Sequence, residues 1–244
     1  MARRGRSAMV TDLSWAVRTE GRSLWSRNAV PGVAVRGERL KRRRGEEWRQ
    51  WSPRRSKLAA GLLRSESDKG FLLPEPGATT LYLGAGHGST TSYLHDHLCG
   101  AQNERGGCIV AVDISPRCMR DLVRLAEVRP GLVPVLADAR DLQAITPFLP
   151  ARVPWLFQDV SQAGQVDTAA QRFLAPNGLS LLSLKSASER SEHGGRGVPR
   201  DHYEQARTAL IDAGAKVLEV IELTGWEEQH ALIVSRMPEE WGKT

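Results

Sequence analysis

The 244 residues carry 34 lysines and arginines against 28 aspartates and glutamates, a net charge of +6, with 41% hydrophobic content. That length can bury a full core as one large domain or a domain with a small appendage, and the basic balance favours a polyanionic partner, nucleic acid before an acidic membrane. The three cysteines, Cys99, Cys108 and Cys118, have no CxxC spacing and are odd in number, which argues against a disulfide framework. No apolar run approaches the roughly 18 residues of a membrane span, and Met1 to Ser7 is basic without the apolar stretch of a secretory signal. The expectation is a soluble chain in the reducing cytoplasm.

The first fifty residues differ in character from the rest. Their arginine density, the turn at Val30 to Val33 and the alternating stretch Val33 to Leu40 predict a few short strands. Residues 1–52 are expected to form a small basic β-rich domain, with the main domain over 53–244. Lys41 to Glu47, which holds Arg42, Arg43 and Arg44 in a row, is too charged for a core. It reads as a solvated hairpin tip or linker, or as a phosphate-contacting patch. Arg54, Arg55 and Lys57 follow, leading into a predicted helix over Leu58 to Leu63.

From Thr79 short apolar runs alternate with helical stretches. Strands are expected at Thr80 to Leu83, Cys108 to Ile114, Leu132 to Ala137, Trp155 to Val160 and Leu179 to Lys185. This alternation describes a doubly wound, mostly parallel α/β sheet. Val217 to Leu223 and Ala231 to Val234 look like an antiparallel pair that closes it, and Ser186 to Arg200, rich in serine, glycine and charge, reads as a mobile loop.

In such a sheet the ligand lies beyond the carboxyl ends of the strands. After the first strand Gly84, Gly86 and Gly88 are spaced two apart and a helix-compatible segment, Ser92 to Leu98, follows. Glycine there tolerates positive φ and allows the backbone to approach a ligand. Ser89 stands where a dinucleotide fingerprint wants its third glycine. Asp113 ends the second strand, where a carboxylate can accept both hydroxyls of a ribose. Asp138 ends the third, where it can bond an exocyclic amine, and Asp159 ends the fourth. Each acid alone also suits a helix N-cap or a turn. Acidic company and no pyrophosphate cradle fit a cationic nucleoside such as S-adenosylmethionine.

Lys185 ends the fifth strand at the same edge. It is a common kind of solvated lysine, or, beside Asp159 and the Lys57 segment, a base whose pKa is lowered by a second ammonium group. His230 reads either as structural or as a partner of that cluster. His95 and His97, two apart on a helix, point to different faces, and no metal site is expected.

These residues carry a resemblance to the fibrillarin family that runs from about Val30 to Arg236. Val30 to Gly32, Gly37 to Arg39 and Trp51 to Ala60 are similar to the family's amino-terminal region. Leu81 to Thr90 resembles its methionine-cofactor loop, Ala111 to Arg117 its ribose strand, and Leu136 to Arg140 with Gln158 to Gln162 complete the series. The resemblance implies a Rossmann-like methyltransferase fold with an antiparallel last strand. It also implies ribose 2′-O-methylation of pre-rRNA or tRNA within a box C/D guide RNA particle, beside a Nop-domain scaffold protein and a kink-turn-binding protein. Carried over by position, the family's cofactor contacts fall on Ser89, Thr90, Asp113, Ile114, Asp138, Ala139, Asp159 and Gln162, and Gly84, Ala85 and Gly86 of the glycine turn are further candidate cofactor contacts. The family's catalytic tetrad falls on Lys57, Asp159, Lys185 and His230, and Arg42 to Arg44 with Arg54 and Arg55 are the candidate RNA contacts. His87 occupies a loop position where the family usually has a small residue. The alternatives from other classes are a non-catalytic subunit of the same particle and a nicotinamide-dependent oxidoreductase.

Overall fold

The computed structural model describes residues 9–160, 168–185 and 199–241. Five short strands come first: β1 (Val10–Asp12), β2 (Val17–Glu20), β3 (Ser23–Arg27), β4 (Leu40–Arg43) and β5 (Glu46–Trp51). They form an antiparallel sheet in the order β1-β2-β3-β5-β4. Arg44 and Gly45, at φ 53° and 83°, make the two-residue turn between β4 and β5, so the arginine run is a hairpin tip. The strand expected over Val33 to Leu40 does not form before Leu40. Gly32 and Gly37 take positive φ, and the Glu38 carboxylate accepts the backbone N–H groups of Val35 and Arg36 at 3.0 and 2.7 Å. The segment is therefore folded around a carboxylate and has no ladder partner.

The second sheet has seven strands: β6 (Thr79–Leu83), β7 (Cys108–Asp113), β8 (Leu132–Leu136), β9 (Val153–Gln158), β10 (Leu174–Lys185), β11 (Lys216–Glu222) and β12 (His230–Arg236). The spatial order is β11-β12-β10-β9-β6-β7-β8. All run parallel except β12, which lies antiparallel between β10 and β11. Among the described residues five α-helices accompany them: α1 (Lys57–Arg64), α2 (Ser89–Leu98), α3 (Pro116–Ala126), α4 (Leu142–Ile145) and α5 (Pro199–Asp212). Side chains alternate across each strand. Tyr82, Phe157 and Leu181 thus join one core with α1, α2, α3 and the first sheet's Val17, Leu24 and Trp51. Leu81, Leu156 and Leu182 join another with Ile145 of α4 and Tyr203, Ala206 and Leu210 of α5. Of the loop expected over Ser186 to Arg200, only Pro199 and Arg200 are described, and they open α5. β6 pairs with β7 on one side and β9 on the other, which is where the strand order reverses and a ligand crevice opens.

Helix α2 fastens the two sheets together. Asp96, fully buried, accepts from Arg49 of β5 at 2.8 Å and from Arg129 at 2.5 Å, and the backbone N–H of Ala29 donates to it at 3.2 Å. Arg49 also donates to Glu38 at 2.7 Å and to Ser92 of α2 at 2.9 Å. One helical turn away Tyr93 stacks on Trp51, with ring centroids 4.9 Å apart. His95 and His97 are structural: their Nε2 atoms reach the carbonyls of Pro130 (2.9 Å) and Pro74 (2.7 Å). Burial lowers both pKa values, that of His97 to about 4. Among the described residues no cluster of three or more His, Cys, Asp or Glu is placed to hold a metal, and no helix is long and apolar enough to cross a membrane.

Replacing Asp96 with alanine leaves two buried guanidinium groups facing each other without an acid between them. Destabilisation of about 3–5 kcal/mol is expected, measurable by urea unfolding of the Asp96→Ala protein; a change below 1 kcal/mol would show that the network does not hold the sheets together.

Candidate active site

The chain leaves β6 through a turn that only glycine fits. Gly84 has φ 80°, and a Cβ built on it would lie 2.3 Å from the carbonyl oxygen of Asp159. The Asp159 N–H in turn donates to the Leu83 carbonyl at 2.8 Å, so the ends of β6 and β9 are in close contact. Gly88, at φ 82°, precedes α2 and offers no side-chain cap. The Gly86 N–H donates to one oxygen of Asp113 at 2.7 Å and the Ser115 N–H to the other at 2.9 Å. Two backbone donors therefore fix the Asp113 carboxylate at the end of β7, beside the turn.

Two cavities meet at this turn and share Gly84, Gly86 and Asp159. The first, about 270 Å³, is lined also by Asp113, Ile114, Ala139 and Val160. The second, about 400 Å³, adds Arg36, Arg55, Tyr82, Ala85, His87, Ser89 and Thr90. An added Cβ on Gly86 would meet no protein atom within 4 Å. Gly86 lines both cavities, so the missing side chain leaves open space where they meet.

Most of the expected contact residues line these walls, with two exceptions. Asp138 does not line either cavity: its carboxylate is turned to Arg140, which donates at 2.6 and 3.0 Å and holds its pKa down at about 2. Ala139 forms that part of the wall. Gln162 lies outside the described residues.

Strand parity gathers the remaining candidates. Asp159 follows Phe157 by two, Lys185 follows Leu181 by four and His230 precedes Leu232 by two, so all three lie on the face covered by α1. Lys57 is the first residue of α1, whose N-cap Ser56 accepts from the Ala59 N–H at 3.2 Å. From there Lys57 Nζ donates to Asp159 Oδ1 at 2.5 Å, across 102 residues of sequence. Lys185 and His230 are register partners across β10 and β12, which puts their side chains on one face of the sheet. Partial burial lowers the His230 pKa, and among its charged neighbours Lys57 lowers it further while Asp159 opposes this. Its Nδ1 lies 2.9 Å from the Glu228 carbonyl.

Two residues not expected from the sequence, Tyr82 and Arg36, line this site, and Thr90, expected as a cofactor contact, makes a second link. Tyr82 walls the second cavity, stacked on Phe157 at 4.9 Å, and burial first, then Asp159, raises its phenol pKa. Thr90 donates to Ser56 at 3.0 Å, tying the glycine turn to the helix that begins with Lys57. Arg36 reaches the turn from the first sheet's long loop and donates to the His87 carbonyl. Tyr82 was accessible to parity, since it shares the face of Asp159. Arg36 had no local signal.

The strand order, the one reversed strand beside the edge and the acid-lined glycine turn define an α/β methyltransferase fold. The Fibrillarin family model matches residues 10–239. A fibrillarin-like rRNA/tRNA 2′-O-methyltransferase of Methanopyrus kandleri is 34% identical over 225 residues, 91% of each chain. Aeropyrum pernix fibrillarin, solved with natively bound S-adenosyl-L-methionine, superposes with a TM-score of 0.77 at 30% identity, covering 94% of this chain and 99% of that one. A chain of a fibrillarin/Nop5p complex gives a TM-score of 0.72 at 25% identity over 87% and 93%. The chain belongs to the fibrillarin family.

Gly84→Ala is expected to lower stability by about 1–3 kcal/mol, through strain and contact with Asp159, and to abolish adenosyl-ligand binding. Gly86→Ala is expected to lose the ligand with the smaller stability change. Thermal melts paired with calorimetry check both, and equal behaviour of the two variants would refute the distinction.

Proposed function

We propose that this chain is the S-adenosylmethionine-dependent RNA ribose 2′-O-methyltransferase of a box C/D guide RNA-protein particle. The observation that carries the reading is the Lys57–Asp159 contact at the mouth of the adenosyl-sized cleft, with Lys185 and His230 on the same face. The donor supplies an electrophilic methyl group on a sulfonium. Asp113 would accept from the ribose hydroxyls of the nucleoside, Ile114 and Ala139 would hold its base, and Ser89 and Thr90 would hold its amino-acid end. Asp159 accepts from Lys57 and fixes the ammonium group beside the reacting centre. Lys185 orients the 2′-hydroxyl of the target nucleotide or takes its proton, and His230 packs beside it and limits water. Holding donor and hydroxyl in line accounts for much of the rate.

Names and partners of the relatives support the substrate class. The M. kandleri protein is described as acting on rRNA and tRNA, and the complex with Nop5p pairs a fibrillarin with a Nop-family protein. For this chain we infer the same RNA classes, pre-rRNA and tRNA, a Nop-domain scaffold, a kink-turn-binding protein and a cytoplasmic location. The guide RNA selects the site by base pairing, so the protein needs phosphate contacts more than base-reading side chains. Arg42 and Arg44 at the hairpin tip, with Arg54 before α1, offer exposed guanidinium groups, and Arg43 and Arg55 stand beside them. Arg43 also pairs with Glu20 at 3.1 Å.

The reading is tested by reconstituting the particle with a guide RNA and mapping methylated riboses. Lys185→Ala is expected to cut single-turnover methylation by about 10²–10⁴-fold with donor affinity unchanged; full activity would remove its role. Particle binding should weaken steeply with salt, and replacing Arg54 with glutamine should reduce the log–log slope by about one. A flat salt dependence would exclude phosphate contacts as the main source of affinity.

A further inference from the structure

The two halves of the cleft differ in charge. The half beyond Asp113 is lined by carboxylates alone, Asp113 and Asp159, among the ionised side chains. The half beyond Ser89 is lined by two guanidinium groups, Arg36 and Arg55, against the one acid Asp159, which already accepts from Lys57. It also contains the first turn of α2, ten residues long, where Gly88 gives no side-chain cap and the first backbone N–H groups have no partner inside the helix. Arg55 has no carboxylate partner among the described residues; its Nη1 donates to the Arg36 carbonyl at 2.7 Å. This half of the cleft calls for an anionic group.

Arg36 is built into place. Its guanidinium donates to the His87 carbonyl within the glycine turn. His87 Nδ1 lies 2.7 Å from an Asp121 oxygen on α3, and the same oxygen is 3.9 Å from Arg36. Three separate parts of the chain, the long loop of the first sheet, the glycine turn and α3, thus converge on one guanidinium at the cleft wall. The buried Arg49–Asp96–Arg129 contacts hold the first sheet at the distance this needs.

We propose that Arg36, with Arg55, clamps the α-carboxylate of the methyl donor, so that the amino-terminal sheet supplies part of the donor site. The proposal rests on the donor being S-adenosylmethionine. A carboxylate against two planar guanidinium forks and helix N–H groups forms charge-assisted hydrogen bonds, and an uncharged substituent in the same place forms none. His87 and Asp121 act as positioning residues that hold Arg36 over the turn.

The test compares two ligands, S-adenosylmethionine and its decarboxylated analogue, by calorimetry on the full chain. Wild type, Arg36→Gln, Arg36→Lys and Arg55→Gln are measured, with thermal melts to show that each variant folds. Wild type should prefer the carboxylated ligand by about tenfold or more, and Arg36→Gln should lose about tenfold for that ligand while changing the decarboxylated one less than about twofold. Arg55→Gln should follow the same pattern, and Arg36→Lys should recover part of the loss. Equal losses for both ligands would overturn the clamp in favour of a purely structural Arg36. Unchanged donor binding with weaker guide RNA binding would overturn it in favour of a phosphate contact. A wild type that binds both ligands equally defeats the clamp alone, and one that binds neither defeats the donor assignment with it.

Discussion

Asp96 between two arginines is the contact on which the arrangement of this protein depends. A carboxylate with no solvent exposure is tolerated only where its charge is matched and its oxygens accept hydrogen bonds. Here Arg49 comes from the first sheet, Arg129 from the end of the segment after α3, and Asp96 from α2. Glu38, the second acid on Arg49, is the fourth charge and balances the second guanidinium. Such a set gains its stabilisation only when all members are present, so the two sheets dock in one orientation. Because α2 is also the helix that starts at the glycine turn, fixing it fixes the cleft.

The cleft itself follows from one close approach. With Gly84 against the Asp159 carbonyl, the ends of β6 and β9 converge, and the Asp159 side chain is delivered to the face that α1 covers. The N-cap Ser56 starts α1 where Lys57 meets that carboxylate, and Thr90 holds Ser56 from the opposite side. Lys57, Asp159, Ser56 and Thr90 are therefore linked by hydrogen bonds between α1, the glycine turn and the end of β9. Such anchoring limits the rotamer freedom that a loosely held lysine would otherwise have to give up.

Net charge overstates how much basic surface is available to RNA. Several arginines and lysines of the first sheet are engaged internally: Arg18 lies 3.6 Å over the Trp48 ring, Lys41 3.6 Å over Trp25, and Lys41 and Arg43 share Glu20. Arg49 and Arg129 are buried outright. Arg42, with its side chain 80% exposed, pairs at 3.7 Å with Glu47 and still presents most of its guanidinium to solvent. The arginine-rich composition of the amino-terminal region thus serves folding through ring and carboxylate contacts as well as any outward role.

The amino-acid sequence alone specified what local chemistry controls. Apolar runs and glycine spacing located the strands around the turn, the apolar run Leu58 to Leu63 located most of α1, and acids at successive strand ends singled out Asp113 and Asp159, which line the cleft. Local chemistry also allowed an error, since alternation suggested a strand over Val33 to Leu40, where Glu38 draws the backbone onto itself, and it did not show that Asp138 pairs with the arginine two residues on. Tertiary structure decided everything that depends on register and docking. Lys57 meets Asp159 across 102 residues, Lys185 faces His230 only through β10–β12 pairing, Asp96 is buried and not a solvated helix charge, and Arg36 reaches the cleft from another sheet. Periodicity along a chain fixes which face a side chain takes within its own element, whereas which faces meet is settled by packing between elements far apart in sequence.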